Sequence, residues 1–113
     1  GDGVPQDYEK AVKLLTQAYE EENNWGVVYL AEAYFKGLGV RQDYIKAREL
    51  LDNITWNNEN ANYMKGVIYA QGLGVPADIK KGVEYLQKAG NHKQAKEELG
   101  KYKKTLFGKW VRR

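Results

Sequence analysis

Apolar side chains recur along this chain at spacings of three and four. Tyr8, Ala11, Val12, Leu15, Ala18 and Tyr19 make one stripe. Tyr44, Ala47, Leu50, Leu51 and Ile54 make a second, and Ile79, Val83, Leu86 and Ala89 a third. That period belongs to amphipathic helices with one buried face. The segments between them, Trp25 to Lys36 and Asn60 to Gln71, are built differently. They place small residues at Gly26 and Ala31, and at Ala61 and Gly66, and a tyrosine (Tyr34, Tyr69) shortly before a glycine. Ala95 and Gly100 continue the small positions. Small side chains let neighbouring helix backbones approach closely. The pattern predicts helices at Asp7–Glu20, Trp25–Lys36, Asp43–Asn53, Glu59–Gln71, Asp78–Ala89 and Lys93–Lys104, and no strand with sustained alternation.

The turns repeat as well. Gly1-Asp2-Gly3-Val4 is followed by Asp7-Tyr8-Glu9-Lys10-Ala11. Gly37-Leu38-Gly39-Val40 is followed by Asp43-Tyr44-Ile45-Lys46-Ala47, and Gly72-Leu73-Gly74-Val75 by Asp78-Ile79-Lys80-Lys81-Gly82. The three copies start 36 and then 35 residues apart. Paired glycines suit a sharp helix stop, because glycine reaches positive φ without steric cost. Val4, Val40 and Val75 are expected to plug these polar turns into the core. Asp7, Asp43 and Asp78 stand where the next helix starts, as N-caps would. A repeat of this length denotes a stacked array of two-helix units, since helices this short are marginal alone.

These motifs resemble the Sel-one-like repeat, a relative of the tetratricopeptide repeat. That family's pattern runs small residue, Leu-Gly, Tyr, Gly-x-Gly-Val, Asp-Tyr-x-Lys-Ala. The resemblance covers Gly1 to about Lys104. It implies an all-α fold, a right-handed α/α solenoid of helix–turn–helix repeats. Residues 1–113 then form one domain: 1–20 the second helix of a truncated repeat, 25–54 and 59–89 whole repeats, 93–113 a terminal half-repeat and cap. Because the chain opens inside the motif, at least one repeat is expected before Gly1. Three departures stand out. Lys65 replaces the expected Leu, with Met64 a candidate for its role. Gly82 replaces Ala, at a cost in helix propensity. After Gly100 the pattern fades, with Lys103 at the Tyr position.

Composition narrows the chemistry. The 113 residues contain no cysteine, which removes disulfides, thiolate metal sites and thiol catalysis. No apolar run approaches the roughly 18 residues of a membrane span, so no transmembrane helix is expected; a soluble chain is expected, with the compartment left open between cytoplasm and periplasm. The net charge of +3 is uneven: Lys93 to Arg113 carries eight basic and two acidic residues, leaving −3 on the rest. His92, the only histidine, lies in a Gly90-Asn91-His92 turn and is expected at the surface. The Gly-x-Gly turns lack the third glycine of a dinucleotide fingerprint and the Lys-Ser/Thr of a P-loop. Glu21-Glu22 and Glu97-Glu98 are expected on solvated faces, since adjacent helical residues diverge. Asn53-Ile54-Thr55 matches a glycosylation acceptor, but Ile54 aligns with the core positions Ala18 and Ala89. No metal and no cofactor is expected.

The resemblance also implies a binding face. In tetratricopeptide relatives the Tyr-bearing helix lines the concave side. Carried over, this gives Trp25, Val28, Glu32, Phe35 and Lys36 from the first such helix. The second gives Asn60, Tyr63, Val67, Ala70 and Gln71, and the third Gln94, Glu97, Lys101 and Lys104. Trp25 and Tyr63 are the expected anchors, because aromatic side chains often dominate interfaces. The function implied is a non-catalytic scaffold that binds a protein or peptide. An alternative is a bacterial immunity-type protein that neutralises a toxin; hydrolysis, known for Cys-rich relatives, fits a Cys-free chain poorly. Self-association through the apolar first repeat is a further expectation. No nucleic acid partner is expected. The basic tail is expected to form a helix that packs Leu106, Phe107 and Trp110 on the last repeat and solvates its lysines, with contact of the tail, Val111 included, to an anionic membrane or nucleic acid as the alternative.

Overall fold

The computed structural model describes residues 4–23 and 26–113. The expectations placed on the Gly1–Gly3 turn, the Val4 side chain and Trp25 lie outside what is described. Six helices follow one another: α1 (Val4–Glu20), α2 (Val27–Lys36), α3 (Tyr44–Asp52), α4 (Glu59–Gln71), α5 (Ile79–Lys88) and α6 (Lys93–Leu99). A short hairpin, β1 (Tyr102–Lys104) and β2 (Trp110–Arg112), comes after them. The fold class is all-α, with α2–α3 and α4–α5 as the two helix–turn–helix pairs.

The caps explain where the helices begin and end. Asp43 accepts the Lys46 amide at 3.0 Å and Asp78 the Lys81 amide at 3.1 Å. Asn58 caps α4 in the same way through Ala61 at 2.9 Å. Each satisfies an amide that has no partner inside its helix. Gly37 and Gly72 stop α2 and α4 in the left-handed region, with φ of 73° and 70°. The first copy departs from expectation. α1 starts at Val4, so Asp7 sits inside the first turn and does not cap it. Pro5 is tolerated there because first-turn amides lack helical acceptors anyway.

The chain forms two compact units, Gly1–Thr55 and Trp56–Arg113. In the first, α2 packs on α1 and α3 around Val12, Val27, Leu30, Ala31, Ala47, Leu50 and Leu51, all buried. Asn53 donates a side-chain hydrogen bond to the Tyr19 hydroxyl, tying the end of α3 to α1. In the second, α4 packs on α5 and α6 around Met64, Ile68, Val83, Leu86, Ala89 and Ala95. Met64 is 1% exposed and fills the core, while Lys65 is half-buried with its ammonium 5.3 Å from the Tyr85 ring centroid.

Gly82 has a positive use that its helix propensity hides. A methyl group there would lie 2.5 Å from both the Cβ and the backbone nitrogen of Ala70. The missing side chain is what lets α5 touch the backbone of α4. Gly66 does the same in return, against Leu86.

The C-terminal segment corrects the sequence reading twice. α6 ends at Leu99 instead of continuing to Lys104, and residues 102–112 pair as antiparallel strands, Tyr102 with Arg112, Lys103 with Val111 and Lys104 with Trp110. Tyr102 is 3% exposed, and Arg113 Nε donates to its carbonyl at 3.0 Å. Tyr, Thr, Trp and Val favour strand geometry, but strands of three residues are too short to show alternation. Leu106 and Phe107 do not pack on the last repeat; they are fully exposed.

Candidate partner-binding surfaces

In the first unit an apolar groove of about 360 Å³ runs between α1 and α2. Tyr8, Ala11, Val12, Leu14 and Leu15 form one wall, and Tyr29, Glu32, Ala33 and Leu38 the other. Leu14 and Tyr29 are each 65% exposed, an unusual state for large apolar side chains. The motif spacing of 36 and 35 residues places Ala11, Leu14 and Leu15 at the positions of Gly82, Tyr85 and Leu86. In the second unit those three residues carry α4. Gly82 meets Ala70, Leu86 meets Gly66, and the Tyr85 ring stacks on Tyr69 at 5.9 Å. The α1–α2 groove therefore repeats the surface that α4 occupies on α5 and α6.

The residues expected on one open face of α2 divide. Val28 and Phe35 are buried, and Phe35 packs edge-to-face on Tyr44 with centroids 5.5 Å apart. They are core residues. Glu32 and Lys36 remain at the surface, ion-paired at 2.9 Å. Neither Leu14 nor Tyr29 was singled out from the sequence. Both fall off the buried stripe of their helix, and a large apolar residue on an otherwise polar face is the signal that was there to be read.

In the second unit the expected residues mostly meet α6. Tyr63 stacks on His92, with centroids 4.6 Å apart and planes 14° off parallel. His92 Nδ1 accepts the Ala95 amide at 3.2 Å, and Nε2 lies 3.4 Å from the Asn60 carbonyl oxygen. The histidine is thus a half-buried N-cap of α6 and not a free turn residue. Val67 and Ala70 are buried, whereas Gln94 and Glu97 are exposed.

Gln71 reaches Glu98, which is 6% exposed and corrects the expectation that Glu97 and Glu98 share a solvated face. Glu98 accepts from Gln71 Nε2 at 2.7 Å and from the Tyr102 hydroxyl at 3.3 Å, and pairs with Lys101 Nζ at 2.8 Å. Burial alone would push its carboxyl up. The hydrogen bonds from Lys101, Gln71 and Tyr102 and the Lys101 charge outweigh that and hold it below the ordinary glutamate value. Burial and the Glu98 charge push the Tyr102 hydroxyl up. A carboxylate locked by three donors serves to join α4, α6 and β1. Lys101 belongs to this cluster, and Lys104 lies on β1, so neither extends a helical face. Among the described residues no three His, Asp or Glu side chains are grouped to hold a metal ion, and no helix is long and apolar enough to cross a membrane.

Helix–turn–helix units of this length, capped by Asp and closed by Gly-x-Gly turns, define a helical-repeat protein of the tetratricopeptide-like class. A model of the Sel1 repeat matches residues 1–23, 27–52 and 60–93. The chain belongs to the Sel1 repeat family, whose repeats generally act as protein–protein interaction scaffolds and are typically non-catalytic. It is similar to the Sel1-repeat-containing protein YjcO of Escherichia coli K12, with 33% identity over 91 residues, 76% of this chain and 40% of YjcO. It is also similar to HRD3A of Arabidopsis thaliana, an ERAD-associated E3 ubiquitin-protein ligase component. There identity is 35% over 79 residues, 69% of this chain and 12% of HRD3A. The chain thus spans less than half the length of these relatives.

Proposed function

We propose that this chain is a non-catalytic scaffold that binds a protein partner and whose α1–α2 groove is shaped to seat one amphipathic helix. The observation that carries the reading is the internal equivalence of two surfaces. The α5–α6 surface holds a helix, α4, against Gly82, Tyr85 and Leu86; its counterpart at Ala11, Leu14 and Leu15 lines the apolar groove. A helix suited to it presents small residues toward Ala11 and an apolar stripe toward Leu14, Leu15 and Tyr29, as α4 presents Gly66 and Ala70. Such helix-in-groove recognition relies on apolar anchors at helical spacing. Glu32 and Lys36 at the rim add polar selectivity, and Asn60, Tyr63 and Gln71 tie α4 to His92 and Glu98.

The test is affinity capture from the native host with wild type and a Leu14→Glu, Tyr29→Glu double variant, followed by titration of the recovered partner in purified form. Both side chains are mostly exposed, so the variant keeps its helices by circular dichroism. The expected result is a stoichiometric partner whose affinity falls by about tenfold or more in the variant, as for central apolar anchors. Equal affinity for both proteins moves the site away from the groove and sinks the proposal.

A further inference from the structure

The hairpin tip has no role in the repeat. Thr105 donates its amide to the Lys109 carbonyl at 2.7 Å, Gly108 donates to the Thr105 carbonyl at 2.9 Å, and Lys109 donates to Thr105 Oγ1 at 3.1 Å. These bonds close a tight turn with Leu106 and Phe107 at its two central positions. Gly108 follows with φ of 80°, the left-handed residue such three-residue hairpin loops require. Central turn positions normally carry Pro, Asn, Asp, Ser or Gly. Here they carry two large apolar side chains with relative exposures of 102% and 98%. They stand on a seated base, since Tyr102 is buried, β2 packs on α5, and the Arg113 amide donates to the Lys101 carbonyl at 2.8 Å.

The segment that carries the tip is basic throughout, and of the residues at the start of α5 that share a hollow with Gly108, Lys109 and Trp110, Asp78 is acidic and Lys80 basic. From Leu99 to Arg113 there are six basic residues and no acidic one. Lys103, Lys104 and Lys109 are exposed and flank the turn, and the Lys104 chain runs beside Gly108. Trp110, half-buried and paired with Lys104, stands directly below. An apolar pocket on a partner protein would take Leu106 and Phe107 but would leave this collar of cations unmatched. A nucleic acid would match the cations but gain little from an exposed leucine. An anionic bilayer surface matches both at once, because its acyl boundary accepts the apolar tip, its headgroups attract the lysines, and tryptophan favours the level between.

We infer that the Leu106–Phe107 tip is a wedge that docks this protein on anionic lipid surfaces, with Lys103, Lys104 and Lys109 as its electrostatic collar. The attachment is peripheral and reversible. Each cation near such a surface strengthens binding by roughly fivefold, and each apolar side chain fully buried by about tenfold or more.

The experiment is co-sedimentation of the chain with phosphatidylserine–phosphatidylcholine vesicles and with pure phosphatidylcholine vesicles. Wild type is expected to bind the anionic vesicles, more weakly as salt is raised. Leu106→Ser with Phe107→Ser should lower that binding about tenfold or more without altering the helical spectrum, since neither side chain touches the fold. Lys103→Gln with Lys109→Gln should weaken it as well. Trp110 emission should shift to the blue on binding in a Trp25→Phe, Trp56→Phe background. Leu14→Ser with Tyr29→Ser, which empties the proposed helix groove of its anchors without changing the net charge, should bind vesicles like wild type, so the two readings fail separately. Absence of wild-type binding, equal binding to pure phosphatidylcholine, or a serine double variant that binds unimpaired would each overturn the inference.

Discussion

The imidazole of His92 lies almost flat on the phenol ring of Tyr63, 4.6 Å between centroids, while its Nδ1 holds the Ala95 amide. One side chain thereby fixes the start of α6 and the distance between α6 and α4. Helix caps are worth about 1 kcal/mol and aromatic pairs about 0.5–1.5 kcal/mol. His92→Ala is expected to cost about 1–2 kcal/mol in urea denaturation. His92→Asn, which keeps a capping acceptor and loses the ring, should fall between. Equal midpoints for wild type and the alanine variant would show that neither contact matters.

Gly82→Ala sets two effects of opposite sign against each other. Alanine is the better helix former by about 1 kcal/mol. Its methyl group, however, would stand 2.5 Å from the Ala70 backbone nitrogen, a contact no rotamer change relieves. Overpacking costs about 1–3 kcal/mol, so a net loss of stability is expected, read as a lower thermal midpoint. A raised midpoint would mean that α4 and α5 move apart freely. Ala47, at the matching position of α3, is fully buried and is accommodated there.

Glu98 makes stability depend on pH in one direction. Its folded carboxyl titrates below the ordinary value near 4.5. The ionised form is therefore favoured in the folded state, and the stability it adds is complete above that ordinary value. That stability is lost as pH falls through the lower folded value. Glu98→Gln is expected to cost about 1–2 kcal/mol at neutral pH, the scale of a charged hydrogen bond. The gap to wild type should narrow on acidification. A gap that stays constant from neutral to strongly acidic pH rules out this role.

Buried and exposed apolar positions on α1 and α2 should behave in opposite ways. Phe35→Ala removes a buried ring from the Tyr44 contact and should cost about 3–5 kcal/mol. Tyr29→Ala and Leu14→Ala, both on the open groove, should change stability by no more than about 0.5 kcal/mol. Comparable losses at all three positions in thermal melts would mean that the groove residues are core.

Much of this protein is legible in its sequence. The stripes at three and four, the Gly-x-Gly turns, and the Asp43 and Asp78 caps are local features. Helix period, left-handed glycine and side-chain capping depend on residues within one or two turns of each other, so sequence alone determined the repeats and the family they mark. Val28, Phe35 and Val67, expected on a binding face, are buried, because facing in or out depends on which neighbour a helix leans on. Gly82 read as a weakness because propensity takes no account of Ala70, 12 residues earlier. The Glu98 cluster joins Gln71 to Tyr102 across 31 positions, beyond any periodic pattern. The hairpin at 102–112 replaced a helix because burial of Tyr102 and the pairing of two three-residue strands stabilise it, and both are contacts between distant parts of the chain. Tertiary packing alone decided which apolar residues were enclosed, and so left Leu14, Tyr29, Leu106 and Phe107 in water.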